Sequence, residues 1–156
     1  MVNNIGIALR GGKSVFGPRN ESLALHFFFF AATKGHIGAA VNLANSYAAA
    51  DADGVARSLS KALEWYKYAA SKNHQGDGDQ LMCRHYLYIN HMYFHFLMLG
   101  SLYNCGYILL QGSSAGDGNV DIPVDPVGSL EYFHRAYLIG SPESEHFDPA
   151  YAKATT

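Results

Sequence analysis

Cysteine and charge are both scarce in this sequence, and each shortage excludes a class of protein. The two cysteines, Cys83 and Cys105, form no CxxC pair, so we expect buried free thiols rather than a disulfide framework or a structural zinc site. Charged residues make up 15% of the chain, the net charge is −2, and there is no basic run. Since nucleic acid is held largely by basic side chains, no nucleic-acid partner is expected.

Motifs of catalysis and export are also missing. The N-terminus lacks a basic segment followed by an apolar core, so no signal peptide is expected. There is no GxSxG, and Gly11–Ser14 lacks the earlier glycine and the preceding strand that a phosphate-binding loop needs. Asp51, Asp53, Asp77 and Asp79 fall in predicted loops, where aspartate initiates turns. We therefore expect a protein that is not an enzyme and uses no cofactor.

Apolar residues, by contrast, make up 49% of the sequence, so the chain can bury a sizeable core. Its 156 residues are enough for one compact domain or a short repeat array. The clearest element runs from Ser58, a good N-cap, to Asn73, which suits the left-handed end of a helix. The apolar residues between them fall on one face at helical spacing: Leu59, Ala62, Leu63, Trp65, Tyr66, Ala69 and Ala70. This pattern predicts an amphipathic helix of about four turns.

The frame of this helix occurs twice more. Its interval of fifteen residues recurs from Asn20 to Gly35 and from Asp125 to Gly140, and Pro126 takes the first helical position of the last frame. Each frame carries a small residue four positions after the cap and an aromatic pair seven and eight positions after it: Ala24 with Phe27–Phe28, Ala62 with Trp65–Tyr66, and Ser129 with Tyr132–Phe133. Agreement at so many positions indicates an internal repeat.

A second stripe, of the form large–small–x–x–large, precedes each capped helix. Its three copies are Ile5-Gly6 with Leu9, Leu43-Ala44 with Tyr47, and Leu99-Gly100 with Tyr103. Asn20 and Ser58 are about 38 residues apart, and units of this size bury their apolar faces only by stacking. We predict an all-α fold, an α-α superhelix (solenoid) of about three helix–turn–helix repeats, with aromatic rings filling small-residue clefts of neighbouring hairpins.

The segment GVARSLSKALEWYKYAASKNH, residues 54–74, resembles the Sel-one-like repeat, a relative of the tetratricopeptide repeat. The matching residues are Gly54, Val55, Lys61, Ala62, Trp65, Tyr66, Ala69 and Ala70, then Leu99, Gly100, Tyr103 and Gly106, then Asp125, Tyr132, Phe133, Ala136 and Gly140. Repeats of this kind serve as non-catalytic adaptor surfaces. The resemblance therefore implies a scaffold module with a protein or peptide partner.

This resemblance implies a repeat domain over residues 1–140. Its units are a partial repeat at 1–35, a full repeat at 36–74 and a repeat with insertions at 80–140. About 18 extra residues follow Asn73, and about 11 lie between Tyr103 and Asp125. The sequence is expected to begin inside a repeat, and residues 141–156 to form a poorly ordered tail or a truncated repeat.

Two sets of residues are candidates for binding a partner. Asn42, Asn45 and Ser46 are expected to be exposed on a first helix and to face the concave groove of the stack. Phe29 and Phe30 extend the aromatic pair, and Phe29 aligns with solvent-facing Lys67. These two rings mark either a contact surface or an extra packing contact within the stack. Exposed repeat ends would also allow a homo-oligomer.

The central part of the chain suggests two alternatives. His85, His91 and His95 could bind a metal, but His91 and His95 lack a carboxylate or a placed cysteine, so surface histidines are favoured. A hydrolase of the cysteine-rich repeat type would need a disulfide pair in each repeat. Met92 to Leu110 is long enough to span a membrane, but its polar residues favour a repeat helix, so no span is expected.

Overall fold

The computed structural model describes residues 1–12, 17–49, 55–72, 84–113 and 121–140, with the backbone alone over 84–95. Six helices form this part of the chain: α1 (Val2–Gly11), α2 (Glu21–Thr33), α3 (Ile37–Ala48), α4 (Leu59–Ser71), α5 (Arg84–Gln111) and α6 (Pro126–Gly140). Each helix packs on the next, so that α1–α2, α3–α4 and α5–α6 form three stacked hairpins. The prediction of an all-α helical solenoid is confirmed. The tail predicted over 141–156 lies outside the described residues.

The second helix of every hairpin begins at its predicted cap. In each, the cap side chain accepts a hydrogen bond from the backbone amide three residues later: Leu23 to Asn20 at 2.9 Å, Lys61 to Ser58 at 3.3 Å and Gly128 to Asp125 at 2.9 Å. Pro126 is the first residue of α6, where its missing N–H leaves no helical bond unmade. Each bond satisfies one of the amide groups that a helix N-terminus leaves without a partner.

The C-terminal ends of the second helices are also set by the residues next to them. Two of the second helices, α2 and α4, end at Thr33 and Ser71, and lysines cap both. Gly35 follows with a φ of +88°, a left-handed conformation that glycine adopts without strain. The equivalent Asn73 lies outside the described residues.

A second hydrogen bond fixes the register of each hairpin. The backbone N–H of each cap residue donates to a carbonyl of the first helix: Asn20 to Leu9 at 3.0 Å, Ser58 to Tyr47 at 2.7 Å and Asp125 to Leu109 at 2.8 Å. We call these three bonds the cap-to-helix bonds. Leu9 and Tyr47 end the first two predicted stripes, but the third bond reaches Leu109 instead of Tyr103. The first helix of the third hairpin is therefore aligned six residues later than predicted.

The space around the glycines supports the same correction to the register of α5. A Cβ added at Gly6 would lie 2.6 Å from the Phe28 ring, and one added at Gly106 would lie 2.8 Å from the Phe133 ring, whereas Gly100 has nothing within 4 Å. The prediction that Gly100 occupies the third cleft is wrong, and Tyr103 is 58% exposed. Cys105-Gly106-x-x-Leu109 has the same spacing, with cysteine in place of the large first residue, so the pattern can be placed on α5 at two positions.

The corrected register relocates the extra residues. Leu109 lies 16 residues before Asp125, against 11 between Leu9 and Asn20, so the loop between α5 and α6 carries five extra residues rather than about 11. Ser113 and Ile122 close this longer loop through an isolated antiparallel bridge with backbone hydrogen bonds of 2.9 and 3.1 Å.

The two rings of each aromatic pair have different packing partners. The second ring fills the cleft of its own hairpin: Phe28 is fully buried against Gly6, Tyr66 shares a core cluster with Ala44, and Phe133 packs on Gly106. The first ring reaches the preceding hairpin, as Trp65 does against the core around Phe28. The expectation that rings fill clefts of a neighbouring hairpin holds for Trp65 and is wrong for the second ring of each pair, because the second helix lies closest to the first helix of its own hairpin.

Candidate partner-binding surface

The corrected register places two rows of side chains on the outward side of α1, α3 and α5. Relative to Gly6, Ala44 and Gly106, the residues two positions earlier are Asn4, Asn42 and Asn104, and those one position later are Ile7, Asn45 and Tyr107. Residues three apart on a helix share a face, so the two rows run side by side. All six side chains are exposed or half-buried. We call this surface the first-helix face.

Asn42, one of the predicted binding residues, links the first two hairpins. Its side-chain oxygen accepts a hydrogen bond from Arg10 at 3.0 Å, and its Nδ2 donates to Asn3 Oδ1 at 3.1 Å. Arg10 in turn lies over the Phe28 ring, 5.1 Å from its centroid. Asn42 is therefore at the surface but serves the packing of α3 on α1.

Asn45, a second predicted residue, is exposed and accepts a hydrogen bond from the Tyr66 hydroxyl. Asn104 on α5 lines a cavity together with Tyr66. It was not among the predicted residues.

Since the Tyr66 hydroxyl donates to the oxygen of Asn45, the exposed amide of Asn45 has a fixed orientation on the first-helix face.

Burial keeps the Tyr66 hydroxyl and the Cys105 thiol in their neutral forms. It raises the pKa of Tyr66 to about 12, with the neighbouring Cys105 acting in the same direction and Asn104 in the opposite one. The Tyr66 hydroxyl is therefore protonated near neutral pH and remains a donor. Burial also raises the pKa of the Cys105 thiol to about 12, which makes this thiol unreactive. Cys105 is the buried free cysteine that was expected.

The small cavity that Asn104 and Tyr66 line has a volume of about 230 Å³. Its walls come from the end of α3, the start of α4 and the inner side of α5, and its polar groups include Asn104, Tyr107 and Gln111. Gln111 donates a 2.7 Å hydrogen bond to the Tyr107 hydroxyl. A wider cleft of about 640 Å³ shares Arg57, Leu59 and Gln111 with it and extends toward the loop after α5. The surface is thus concave next to Asn104.

Ser46 does not have the exposure that was expected of it. Its side chain is 6% exposed and donates a 2.6 Å hydrogen bond to Glu21 Oε1. Glu21 is itself buried at the start of α2, with Arg19 3.6 Å from its other oxygen. Ser46 lies two positions after Ala44, on the side of α3 that faces α2. It therefore belongs to the junction between the first two hairpins and not to the first-helix face.

Phe29 and Phe30 are 52% and 54% exposed and lie on α2, away from the two rows described above. Phe29 meets Trp65 edge to face, with ring centroids 5.8 Å apart, so it makes the packing contact that was one of its two expected roles. Phe30 has the Lys34 ammonium 5.8 Å from its centroid and lines a shallow apolar groove of about 340 Å³ with Phe27. The five predicted residues therefore do not form one site.

Two further interpretations concern the central region. The side chains of His85, His91 and His95, and the whole of Cys83, lie outside the described residues. Within the described part of the chain, no group of three metal-ligating side chains comes together. None of the helices described combines the length and the hydropathy that crossing a bilayer requires.

These features define a class, the helical-repeat proteins built from stacked hairpins. The family model of the Sel1 repeat matches residues 3–36, 37–74 and 100–141, which is well over half of the sequence, and the chain belongs to the Sel1 repeat family. Repeats of this family form protein-interaction modules that are generally not catalytic.

A solved structure has a similar fold, the Sel1 repeat protein from Oxalobacter formigenes. It is 21% identical in sequence with a TM-score of 0.58, and the match covers 90% of this chain and 43% of that one. The chain thus spans less than half the length of this relative. No curated protein matches the sequence.

Proposed function

We propose that this chain is a non-enzymatic adaptor that scaffolds a larger complex by holding a protein or peptide partner on the first-helix face. The observation that carries the proposal is the exposed Asn45, whose amide is fixed by Tyr66 on the outward side of α3. Asn42 borders the same surface. An oriented polar group on a rigid helix is a ready partner contact, since little conformational freedom remains to be lost on binding.

A partner-capture experiment tests this proposal. Asn45→Arg places a long charged side chain on the first-helix face, and we expect it to abolish retention of partners that the unaltered chain retains. Glu64→Arg on α4 is the matched control, because Glu64 is exposed and lies outside that face. Substitution of Ser46 or Asn42 would be less informative, since both join the second hairpin to the first, whereas Asn45 is bonded within its own hairpin. Equal retention by the two variants would refute the proposed surface.

Phe30 and the groove it shares with Phe27 form a second proposed contact surface, with Phe29 at its edge. The equivalents of Phe27 and Phe30 in the second hairpin are Trp65 and Tyr68. Both pack on the first hairpin, and the Tyr68 hydroxyl donates to the Ala32 carbonyl at 3.3 Å. Positions that bind a preceding hairpin elsewhere in the stack are therefore open on α2.

The opposite end of the stack supports the proposal of a homo-oligomer. Leu130 and Tyr137 on α6 are 67% and 70% exposed, whereas their equivalents in the second hairpin, Leu63 and Ala70, are buried. A second copy stacked end to end would cover such positions. Sedimentation velocity across a range of protein concentrations tests this, and Leu130→Glu should abolish any concentration-dependent association. A single species at all concentrations would exclude it.

We propose that the repeat units lie at 1–35, 36–74 and 80–140. We also propose that the chain binds no nucleic acid. The latter is supported by a net charge of −2 without a basic run. A salt-dependent shift of a labelled oligonucleotide on addition of the protein would contradict it.

A further inference from the structure

We propose that this chain associates with a second copy of itself head to tail, so that exposed apolar residues of α6 in one copy enter the groove on α2 of the next. This inference rests on the proposed homo-oligomer and names the two surfaces that meet. The first surface, which we call the head groove, is lined by Val2, Leu23, His26, Phe27 and Phe30. The second, the tail stripe, consists of Val127, Leu130, Tyr137 and Leu138.

The tail stripe is more apolar than the same positions inside the stack. Its four residues share one side of α6 at helical spacing and are between 50% and 81% exposed. Val127 and Leu138 stand where the other second helices have serine or threonine, namely Ser22, Ser60, Thr33 and Ser71. A terminal repeat that faces solvent needs a polar outer face. The outer side of α6 has the opposite character, which indicates a surface that a partner covers.

The head groove differs from its inner equivalents in the same direction. Leu23 and Phe30 are 43% and 54% exposed. Leu23 stands where α4 has the exposed Lys61, and the equivalent of Phe30 is Tyr68, which packs on the preceding hairpin. The groove has a volume of about 340 Å³, and its walls are apolar apart from His26. An apolar groove is therefore open where a preceding hairpin would pack.

The junctions inside the stack show how the two surfaces fit together. The carbonyl of Ala32 on α2 accepts a hydrogen bond from Tyr68 of the next hairpin, and Ala70, its equivalent on α4, is buried in a cluster with Leu102 of the third. The same position on α6 is Tyr137. Inside the stack, a small residue of one hairpin thus meets larger side chains of the next.

Between two copies this relation is reversed. The tail provides the protruding ring of Tyr137, and the head provides an open groove in place of packed rings. The ring and its groove lie at matching positions on opposite ends of one chain, which is the condition for a heterologous contact between copies. A tail-to-tail pair would instead bring two protruding rings together.

His26 gives the groove a hydrogen-bond partner for the Tyr137 hydroxyl. Its Nδ1 lies 2.8 Å from the Ser22 carbonyl. A carbonyl only accepts, so Nδ1 carries the hydrogen, and Nε2 of the neutral ring is an acceptor. A phenol that becomes buried usually finds a partner, and the Tyr137 hydroxyl can donate to Nε2 when its ring enters the groove.

The test uses the full chain and two variants that each block one end. Phe30→Glu places a carboxylate in the head groove, and Leu130→Glu places one in the tail stripe. Burial of an unpaired charge is costly, so each variant should raise the Kd for self-association more than about 10-fold in sedimentation velocity. Glu64→Lys on α4 changes an exposed charge outside both ends and should associate as the unaltered chain does.

A mixture of the two variants separates blocked association from misfolding. The Leu130→Glu variant keeps its head groove, and the Phe30→Glu variant keeps its tail stripe. An equimolar mixture should therefore form a pair of one copy of each and nothing larger, which a misfolded variant could not do. The unaltered chain should form larger species as its concentration rises, since each added copy leaves a free head and a free tail.

A double-mutant cycle in this pair tests whether Tyr137 enters the groove. Leu23→Ala is made in the copy that provides the head, and Tyr137→Ala in the copy that provides the tail. Each should raise the Kd of the pair about 3- to 30-fold through lost apolar contact. Because the two side chains touch, the combined effect should be smaller than the product of the two. A combined effect equal to that product would overturn the proposed fit.

The outcomes separate this inference from the proposed homo-oligomer. Association that survives Phe30→Glu but not Leu130→Glu indicates a tail-to-tail dimer, which overturns the head-to-tail contact and leaves the homo-oligomer standing. A mixture that stays monomeric while the unaltered chain associates does the same. If the unaltered chain is monomeric at every concentration, both proposals fail, and the two ends are left for a different partner.

Discussion

The first and third hairpins bury an aromatic ring in a glycine cleft by the same geometry but reach it through different connections. In the first hairpin, Asn20 lies 11 positions after Leu9, and the Phe28 ring is fully buried. In the third, the corresponding interval is five residues longer, and the Phe133 ring is half-buried. The pairing of ring and cleft therefore does not depend on loop length, although the two rings differ in burial.

The largest expected effect comes from removing the ring itself. Phe28→Ala should lower the free energy of unfolding by about 3–5 kcal/mol, since the ring is fully buried and its cavity cannot collapse easily. Phe133→Ala should cost clearly less, because its ring is only half-buried. Urea denaturation of both variants measures the difference. Equal losses would show that the two hairpins are packed alike despite their loops.

Adding a methyl group to the cleft should lower the free energy of unfolding less than removing the aromatic ring does. Gly6→Ala brings a methyl group into the Phe28 ring, and we expect a loss of about 1–3 kcal/mol. Gly100→Ala is the control within α5, where nothing lies within 4 Å, and the better helix propensity of alanine should raise stability by up to about 1 kcal/mol. If Gly100→Ala were instead as damaging as Gly6→Ala, the register assigned to the third hairpin would be wrong.

The junctions also differ, since the position of Ser46 is occupied by the apolar Ile108 in the third hairpin. Ser46→Ala removes the hydroxyl donor of the buried Glu21, which should cost about 1–2 kcal/mol. Combining it with Glu21→Gln should recover part of the loss, because the uncompensated charge is removed. Thermal unfolding of the single and double variants checks this coupling, and strict additivity would contradict it.

The smallest effect is expected at the small residue of α6. Ser129 is 1% exposed and its hydroxyl has no hydrogen-bond partner, whereas the equivalents in the other second helices are Ala24 and Ala62. Ser129→Ala should therefore raise the free energy of unfolding by about 0.5–1 kcal/mol through helix propensity and the removal of an unpaired polar group. A loss of stability would indicate that the hydroxyl has a partner after all.

The sequence is sufficient to predict the second helices because their signals are local. Asn20, Ser58 and Asp125 cap their own helices through amides three residues away, and the ring spacing follows from the cap. The first helix of the third hairpin carries no comparable start signal. α5 is 28 residues long and apolar on many sides, so the same stripe fits at Gly100 and at Gly106. A contact distant in sequence, that of Leu109 with Asp125, decides between them.

The candidate site was predictable only in part, for a related reason. The polar character and spacing of Asn42 and Asn45 are visible in the sequence, but the burial of Ser46 depends on Glu21, 25 residues earlier. The role of Asn104 emerges only when Gly106 is aligned with Gly6 and Ala44. The row of Asn4, Asn42 and Asn104 was therefore hidden by the error in register and not by a lack of signal.

The cap-to-helix bonds have a consequence for how such a molecule can diversify. Each bond joins the second helix of a hairpin to the first helix where the intervening loop begins and ends, whichever residues the loop contains. In the third hairpin the bond from Asp125 to Leu109 is present although the loop is five residues longer. New residues can therefore be inserted in the loop between the two helices of a hairpin. Such an insertion can add contacts, in evolution or by design, while the stacked helices stay in place.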